Sequence, residues 1–412
     1  MPEFLHLLPP EEARQRWLPH LTHRLPSERV PTAQALGRVT AEPITASHPM
    51  PPFPRSAVDG FAVRAADTYG ASESLPAYLT VMGEVPMGAA ATFRVGPGQA
   101  ALIHTGGMLP EGADAVVMVE YTQQAREGEV EVLRPVAVGD NVIALGEDVA
   151  QGEVVIPQGA RLRAAEIGGL MALGVVQVSV VRKPRVGILS TGDEVVPPEA
   201  MPGPGQVRDV NTYTLSAQVR RWGGEPVTYG ILPDRREALE DAARRALAEC
   251  DLVVVTAGSS ASVRDMTAEV LDALGEPGVL VHGVATKPGR PTILAVADGK
   301  PVIGLPGNPV SALVNTDLFV RPALERLLGL RVLRPRPVVR ARVTVNLPSE
   351  AGREDWWPVR LRATLEGWEA EPIFYKSNLI FRLVEADGLL KVPADATGIA
   401  AGEWAEVVLE VI

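Results

Sequence analysis

Residues 301–312 read PVIGLPGNPVSA, an apolar run that ends in a Gly/Pro turn and passes into a helical pattern. Asn308 is a favoured N-cap residue, and Pro309 suits the first helical position because its missing N–H would be unpaired there. The apolar stripe that follows has helical spacing and consists of Val310, Leu313, Val314 and Leu318. The stretch therefore predicts a buried strand that turns directly into a helix. Backbone N–H groups at such a turn, with the helix dipole behind them, also predict an anion site.

The chain before this stretch alternates between two patterns. Strand-like runs begin at Val186, Val227, Leu252 and Thr292, and helical patterns cover 211–222, 235–249 and 266–274. Strands that alternate with helices predict an α/β domain with a mostly parallel sheet, whose ligand crevice lies at the carboxyl ends of the strands.

The rest of the chain predicts further domains, since 412 residues exceed one ordinary core. Residues 1–50 indicate short helices with proline-rich connectors, and 139–181 indicate turns, short strands and a helix near 163–173. We expect these two segments to form one N-terminal linker domain. Residues 51–138 predict a small β-rich domain, 182–330 the α/β domain, and 332–412 a C-terminal all-β module.

Composition limits the classes of partner. The chain has 39 Lys and Arg against 50 Asp and Glu, a net charge of −11, which argues against nonspecific binding to nucleic acid or anionic membranes. The charge-free run Ile167–Val181 is too short for a membrane span, and the proline-broken N-terminus does not match a secretory signal. We expect a soluble, cytoplasmic protein. The single cysteine, Cys250, is expected in a core and excludes a disulfide framework.

Polar residues follow two of the predicted strands. In the run Ser190 to Glu194, the hydroxyls of Ser190 and Thr191 and the glycine Gly192 suit a phosphate, and Asp193 and Glu194 suit a divalent metal ion that neutralises it. An ordinary polar loop is the alternative for this run. After the third strand, the small residues Gly258 and Ser259 would let a ligand lie on the backbone. Asp265 beyond them reaches a metal ion or, alternatively, caps a helix.

Other candidates depend more strongly on their context. Asp234 opens Asp-Arg-Arg-Glu, which matches a capping box. A purely structural role at the start of a helix is therefore as consistent with the sequence as a functional one. Lys287-Pro288-Gly-Arg290 places two cations on a tight turn, either in solvent or, together with the turn at Gly307 and Asn308, as paired anion contacts. Tight turns or loops also contain Asp59, Thr105 and Asp148. The sequence has no Ser/His/Asp triad pattern, so we expect chemistry based on metal and anion binding.

Taken in order, the motifs SAVDGFAV, HTGGMLPEGAD, GED, STGDEV, TAGSSASVRD, KPGRP and GLPGNPVSA resemble those of the molybdopterin molybdenumtransferase family, which includes MoeA and the gephyrin E domain. The resemblance spans nearly the whole chain. It implies a four-part subunit with a central α/β domain like that of MogA, a β-rich domain, an N-terminal linker domain and a C-terminal β-barrel-like domain. It also implies a homodimer whose site joins the β-rich domain of one subunit to the α/β and C-terminal domains of the other.

The implied reaction is the insertion of molybdate into adenylylated molybdopterin, with Mg²⁺-assisted release of AMP. The resemblance assigns Asp148, Glu194, Asp234 and Asp265 to the surroundings of the metal and the nucleotide, with Glu194 and Asp265 as metal ligands. It assigns Asp59 and Thr105 to the part of the site that the other subunit of the dimer contributes. The resemblance also assigns Lys287, Pro288, Ser311 and Ser377 to the surroundings of the pterin and the molybdate. One molybdopterin dithiolene supplies soft sulfur ligands for molybdenum, so a single cysteine is no obstacle.

This sequence departs from the family pattern at four places. Ala257 stands where the family has glycine, Arg290 replaces a lysine, and Gly283 occupies a position that is lysine in some relatives. The motif Gly-Arg-x-Asp-aromatic-x-Arg ends in Pro358, so its last arginine is missing. Arg360 has the same strand parity and is the predicted substitute, with Arg353 or Lys376 as the next candidates.

Two other functions remain open from the sequence. Arg264-Asp-Met-Thr267 is similar to a motif of the molybdopterin adenylyltransferases, so the α/β domain alone would suit adenylylation. A gephyrin-like scaffold is the third interpretation. For an insertase, we expect transient contacts with an adenylyltransferase and with enzymes that receive the cofactor.

Overall fold

The computed structural model describes residues 7–258, 261–333 and 335–409. Its helices are α1 (Pro10–Trp17), α2 (Ala164–Ala172), α3 (Asn211–Arg221), α4 (Arg236–Glu249), α5 (Ala261–Asp272), α6 (Pro309–Asn315), α7 (Arg321–Leu327) and α8 (Phe381–Val384). A π-helical segment, Thr316–Val320, joins α6 to α7, and 3₁₀ turns cover Leu18–His20, Thr32–Gln34, Ala65–Thr68 and Val119–Tyr121. None of the helices in the described ranges combines the length and the apolar composition that a bilayer crossing requires.

The strands of the first half are β1 (Ser27–Pro31), β2 (Ile44–Thr45), β3 (Arg55–Ser56), β4 (Gly60–Val63), β5 (Ala77–Glu84), β6 (Gln99–Ile103), β7 (Ala115–Met118), β8 (Thr122–Arg126), β9 (Glu129–Val132), β10 (Val142–Ile143), β11 (Val154–Ile156), β12 (Gln177–Val181), β13 (Arg185–Thr191), β14 (Val195–Val196) and β15 (Val207–Arg208). Those of the second half are β16 (Glu225–Leu232), β17 (Leu252–Ala257), β18 (Pro277–His282), β19 (Thr286–Lys287), β20 (Ile293–Ala297), β21 (Lys300–Pro306), β22 (Val338–Val343), β23 (Leu347–Pro348), β24 (Glu354–Thr364), β25 (Gly367–Pro372), β26 (Gly388–Val392), β27 (Gly398–Ile399) and β28 (Trp404–Leu409).

The described residues form two compact units. Unit 1 comprises those of Met1–Ala41, Gly159–Arg163 and Gln177–Ile412, and unit 2 those of Glu42–Gln158 and Ala164–Val176. The four-domain division expected from the sequence stays a prediction.

The centre of unit 1 is a six-stranded sheet in the order β16-β13-β17-β21-β20-β18. The first four strands are parallel to one another, β20 runs antiparallel to them, and β18 pairs antiparallel with β20 and so runs in the direction of the first four, which confirms a mostly parallel sheet. Side chains of β17 alternate between its faces, so Val253 and Val255 pack with α4 and α5, and Leu252 and Val254 pack with α1, α3 and α6. Burying each such aliphatic side chain stabilises the fold by about 1.5–3 kcal/mol. Cys250 is buried, as expected.

The C-terminal part of unit 1 is a closed barrel. Its strands follow the order β24-β25-β22-β28-β26, and β26 pairs back onto β24. The eleven-residue strand β24 closes the ring because its first half pairs with β26 and its second half with β25. At its beginning β24 also pairs in parallel with β19, which comes from the α/β part of the chain. The predicted C-terminal β domain is therefore confirmed as a barrel.

Unit 2 is built on a six-stranded sheet in the order β7-β4-β6-β5-β9-β8. Both faces carry apolar clusters, one around Val63 and Val117 and the other around Ala62 and Ile103, because successive residues of β4 point to opposite faces. Two short ribbons, β3 with β10 and β2 with β11, and helix α2 complete the unit.

Two local predictions need correction. The N-terminal segment was expected to contain only short helices, but Ser27–Pro31 forms strand β1, which pairs with β12. Its partner is distant in the sequence, so the local pattern gives no signal of the pairing. The third predicted helix, 266–274, begins earlier, at Ala261. The first five residues, Ala-Ser-Val-Arg-Asp, contain one large apolar side chain, so the apolar stripe that the prediction followed becomes clear only after them.

Candidate active site

A pocket of ≈ 410 Å³ lies at the carboxyl edge of the α/β sheet. Its walls come from the ends of β13 and β17, the turn after β21, the start of α3 and the barrel loop at Asn378. The predicted site residues that line it are Ser190, Glu194, Gly258, Gly307 and Asn308. The pocket is thus where the strand order predicted a crevice.

Residues of α3 fix the turn at the floor of this pocket. The Asn211 side-chain Nδ2 donates a hydrogen bond to the Gly307 carbonyl at 2.8 Å. Asp209 Oδ1 accepts the Thr212 amide at 3.1 Å and so satisfies the first turn of the helix. Gly307 itself has no room for a side chain, since a Cβ would lie 2.8 Å from the Ala257 carbonyl oxygen. The ends of β17 and β21 therefore approach closely beneath any ligand.

Three carboxylates lie near one another beyond the ends of β13 and β16, and one of them, Glu194, lines the pocket. The Asp234 amide donates to Asp193 Oδ1 at 3.2 Å. Burial raises the pKa of the Asp234 carboxyl, and the negative charges of Glu194 and Asp193 raise it further, offset in part by Thr191. The predicted capping box at Asp234 is wrong, because α4 begins at Arg236 with Arg235 in the N-cap position and no side-chain cap. Asp234 instead belongs to this acidic group, which a cation would stabilise.

Lys287 lies where the α/β domain meets the barrel. In the pairing of β19 with β24, Lys287 lies opposite Asp355, and its Nζ is 3.8 Å from Asp355 Oδ2. Asp355 is only 1% exposed, and its Oδ1 accepts a hydrogen bond from Arg353 Nε at 2.8 Å. The Lys287 ammonium also lies 5.7 Å from the centre of the Trp357 ring. It remains half exposed, so it keeps a free side for an anion.

The strand–turn–helix unit at 301–312 is confirmed in outline. Helix α6 begins at Pro309 with Asn308 in the N-cap position, but the Asn308 side chain makes no capping hydrogen bond. Ser311 is buried in α6. The Val310 amide donates to the Ser377 carbonyl at 3.0 Å, so the barrel loop supplies a partner for the start of the helix. The structure therefore brings the Ser377 backbone next to the helical turn that carries Ser311.

Three predicted residues of unit 1 lie away from the pocket and from the helical turn that carries Ser311. Asp265 is exposed within α5 and is not a helix cap, since the helix begins four residues earlier. Arg290 is exposed, and its carbonyl accepts the Val284 amide. Arg360 forms an ion pair with Glu385 and lies five residues beyond Asp355 along β24, about 16 Å at the usual rise per residue. Ser259 lies outside the described residues.

Asp59 and Thr105 meet in unit 2. Asp59 Oδ1 accepts hydrogen bonds from the Thr105 amide at 2.7 Å and from its hydroxyl at 3.1 Å. These two bonds, with the nearby His104 ring, hold the pKa of the Asp59 carboxyl below its usual range. His104 Nε2 lies 3.1 Å from Glu84 Oε1. The result is an exposed, ionised polar cluster on one edge of the sheet.

Asp148, the other predicted residue of unit 2, lies at the rim of a separate cavity of ≈ 260 Å³. Aliphatic side chains that include Val155, Ile156 and Leu170 line most of this cavity. The Asp148 amide donates to the Met50 carbonyl at 3.0 Å, which fixes the loop backbone and leaves the carboxylate exposed.

Sequence reasoning missed several residues of the pocket, namely Arg208, Asp209, Asn211, Thr256 and Asn378. A signal existed for Asp209 and Asn211, which directly precede and open a helical pattern. Arg208 has none, because the short strand β15 has no periodicity. Among the described residues, no group of three or more His, Cys, Asp or Glu side chains is arranged to hold a metal ion.

Comparison with protein families gives three matches along the chain. Residues 8–174 match the MoeA N-terminal region (domain I and II), 187–326 a probable molybdopterin binding domain, and 340–409 the MoeA C-terminal region (domain IV).

Individual relatives are similar over nearly their whole length. A molybdopterin molybdenumtransferase of Nostoc is 34% identical over 391 residues, covering 94% of this chain and 89% of the relative. One from Bacillus subtilis is 33% identical over 410 residues, covering 98% and 94%. The crystal structure of a molybdopterin biosynthesis moeA protein from Pyrococcus horikoshii has a TM-score of 0.85 at 35% identity, covering 98% of this chain and 100% of that one.

Proposed function

The chain belongs to the molybdopterin molybdenumtransferase family, and we propose that it inserts molybdate into adenylylated molybdopterin and releases AMP. The observation that carries this proposal is the pocket at the carboxyl edge of the sheet, where five residues expected at the nucleotide and pterin line one cavity. No specific observation favours the adenylyltransferase or the scaffold alternative.

The chain's own residues supply positioning and electrostatics for this reaction. Ser190 and the backbone of Gly258 and Gly307 offer a close-fitting surface for a phosphoanhydride at the strand ends. Lys287 offers its ammonium to an oxyanion on the barrel side of the α/β domain. Ser311 lies in the first turn of α6, where the Ser377 carbonyl accepts the Val310 amide. This arrangement supports a role for these residues, and for Pro288 in shaping the turn.

The described side chains do not form a complete metal site by themselves, so a magnesium ion at the acidic group would also need ligands from the substrate. Asp193, Glu194 and Asp234 concentrate negative charge beside the pocket, and Mg²⁺ commonly uses one or two carboxylates together with substrate phosphates. When bound, the ion neutralises the phosphate charge as the adenylate is cleaved. Of the two predicted metal ligands, Glu194 lines the pocket. Asp265 stays a prediction for the second metal ligand.

We further propose a homodimer in which Asp59 and Thr105 of one subunit complete the pocket of the other. The supporting observation is that the pocket lining belongs to unit 1, whereas the Asp59–Thr105 cluster belongs to unit 2 and exposes an ionised carboxylate. The four-domain division, the share of Asp148, the contacts with acceptor enzymes and the cytoplasmic location also stay predictions.

The reaction is tested by incubating the purified protein with adenylylated molybdopterin, Mg²⁺ and molybdate, and by measuring AMP and metal-bound pterin. AMP release that depends on molybdate supports the insertase. Consumption of ATP with unmodified molybdopterin would instead establish an adenylyltransferase. For the dimer, inactive Asp59→Ala and Glu194→Ala proteins are mixed under subunit exchange, with each variant alone as the control. Heterodimers that form and stay inactive would contradict the shared site.

A further inference from the structure

Asn315, the last residue of α6, connects the helix to the turn that carries Lys287. Its side-chain Nδ2 donates to the Pro288 carbonyl at 3.1 Å and to the Ser311 carbonyl at 2.8 Å. One bond spans one turn of its own helix, and the other reaches 27 residues back along the chain. Because a primary amide has two N–H groups, both of its donors are used.

Gly289 leaves the space that this contact needs. Its φ of +110° is one that L side chains rarely adopt, and a Cβ there would lie 1.7 Å from Asn315 Nδ2. The side chain of Asn315 therefore occupies the position that a residue larger than glycine would fill. On the far side of the turn, the Thr292 hydroxyl donates to the Gly289 carbonyl at 2.8 Å. The backbone at 287–289 is thus held from both sides.

Packing alone does not explain an amide at this position. Asn315 is fully buried, and its Oδ1 has no hydrogen-bond partner in the described part of the chain. Leucine branches at the same carbon, has the same number of side-chain heavy atoms and carries no unpaired acceptor of its own, but it would leave the buried Pro288 carbonyl without this donor. What leucine lacks is the pair of N–H donors.

We propose that Asn315 is a positioning residue, which fixes the Lys287–Gly289 backbone against the helix that carries Ser311. Asp355 and Trp357 constrain the Lys287 head group, whereas Asn315 constrains the base from which that side chain extends. The separation between the Lys287 ammonium and the Ser311 hydroxyl then depends on one buried amide. This inference rests on the proposed function in one respect, namely that the anion bound by Lys287 is molybdate.

The test compares Asn315→Leu with Thr316→Val. Thr316 is the next residue, is equally buried, and its hydroxyl bonds to the Ala312 carbonyl within the same helix, so its loss leaves the Lys287 turn untouched. Hydrogen exchange of the peptide that covers 286–292 reports on the turn directly. Asn315→Leu should lose protection there by about tenfold, since each missing bond frees the backbone, and Thr316→Val should not. Asn315→Ala serves in the same comparison if the leucine variant does not fold.

Kinetics then separate positioning from a general loss of structure. At saturating adenylate, Asn315→Leu should raise the molybdate concentration for half-maximal AMP release by about tenfold, with the adenylate dependence changed less than about twofold. In a Lys287→Ala background, the same substitution should add no further shift, because the group it positions is gone.

Each arm has an outcome that overturns the inference. Wild-type exchange in Asn315→Leu would show that the amide does not hold the turn. Equal shifts in both substrate dependences, or full additivity with Lys287→Ala, would assign Asn315 to the fold alone. Failure of the wild-type protein to release AMP would overturn the proposed function, while the exchange comparison would still decide whether Asn315 fixes the turn.

Discussion

Replacing Gly307 by alanine tests the close approach of strands beneath the pocket. The new Cβ would lie 2.8 Å from the Ala257 carbonyl oxygen and 3.4 Å from its carbon, both backbone atoms of the adjoining strand. A relaxed contact between carbon and carbonyl oxygen is about 3.3–3.6 Å, so the end of β21 must move by about 0.5 Å or more. Side-chain rotation cannot relieve the clash.

The cost follows from that displacement. Overpacking of a well-packed interior costs about 1–3 kcal/mol, and we expect Gly307→Ala to lower the free energy of unfolding by this amount. The shift also moves Asn308 and the floor of the pocket. A displacement of about 1 Å lowers the rate of a positioned reaction by about a hundredfold. A displacement of about 0.5 Å should therefore weaken AMP binding or lower turnover by about tenfold.

Urea unfolding followed by tryptophan fluorescence measures the first effect. All six tryptophans belong to unit 1, so the signal follows the part of the chain that contains the substitution. Gly258→Ala is the matched control for stability, because a Cβ there meets only Val263 Cγ1 at 3.9 Å. Equal unfolding free energies for the two variants would refute the steric argument.

Three further predictions concern charged groups. Asp251→Asn should lower the free energy of unfolding by about 1.5–3 kcal/mol at neutral pH, because the buried carboxylate accepts hydrogen bonds from Arg182, the Arg185 amide and His23. Burial raises the pKa of Asp251, but these bonds outweigh it and the pKa is lowered; its stabilisation is therefore present above the ordinary Asp pKa of about 3.9 and is lost as pH falls through the lower native value. A difference between variant and wild type in urea titrations that persists unchanged in strong acid would contradict this. Thr105→Val should raise the pKa of Asp59 toward its usual range, because the hydroxyl hydrogen bond is lost while the bond from the backbone amide at position 105 remains. A titration of Asp59 followed by its carboxyl ¹³C shift measures this, and an unchanged pKa would contradict the prediction. Lys287→Ala should raise the molybdate concentration for half-maximal AMP release by at least about tenfold. Arg360→Ala should change this concentration much less, because Arg360 lies far along β24 from Asp355 and its guanidinium pairs with Glu385. A larger effect of Arg360→Ala than of Lys287→Ala would restore Arg360 as the substitute for the missing arginine.

The sequence predicts the parts of this fold whose signals are local. Buried runs such as Leu252–Val255, followed by turns rich in glycine and small polar residues, indicated parallel strands and the edge where the pocket lies. The motif order indicated the family and, with it, the barrel. Strand β1 was missed since its stability comes from β12, some 150 residues away, and no local period marks it.

The site was predictable where a residue lies at or just beyond the end of a strand. Four residues meet that condition: Ser190 near the end of β13, Glu194 three residues beyond it, and Gly258 and Gly307 directly after β17 and β21. Asn315 and Asp355 do not, because their roles arise from pairings between distant segments, the Lys287 turn with α6 and β19 with β24. The capping box at Asp234 illustrates the opposite error, in which a local pattern fits a helix start, whereas the helix begins two residues later and Asp234 lies near the carboxylates Asp193 and Glu194.

The position of Trp17 has a consequence for how the chain folds as it is made. Its indole N–H donates to the Ala295 carbonyl at 2.9 Å across 278 residues, so helix α1 docks on a strand that is synthesised much later. At about 5–20 residues per second, a ribosome needs roughly 15–55 s to cover that separation. Unit 2 ends at Val176, before the first strand of the α/β sheet has emerged. We therefore expect unit 2 to fold early on the ribosome, while the first helix waits with its apolar face uncovered and open to chaperones.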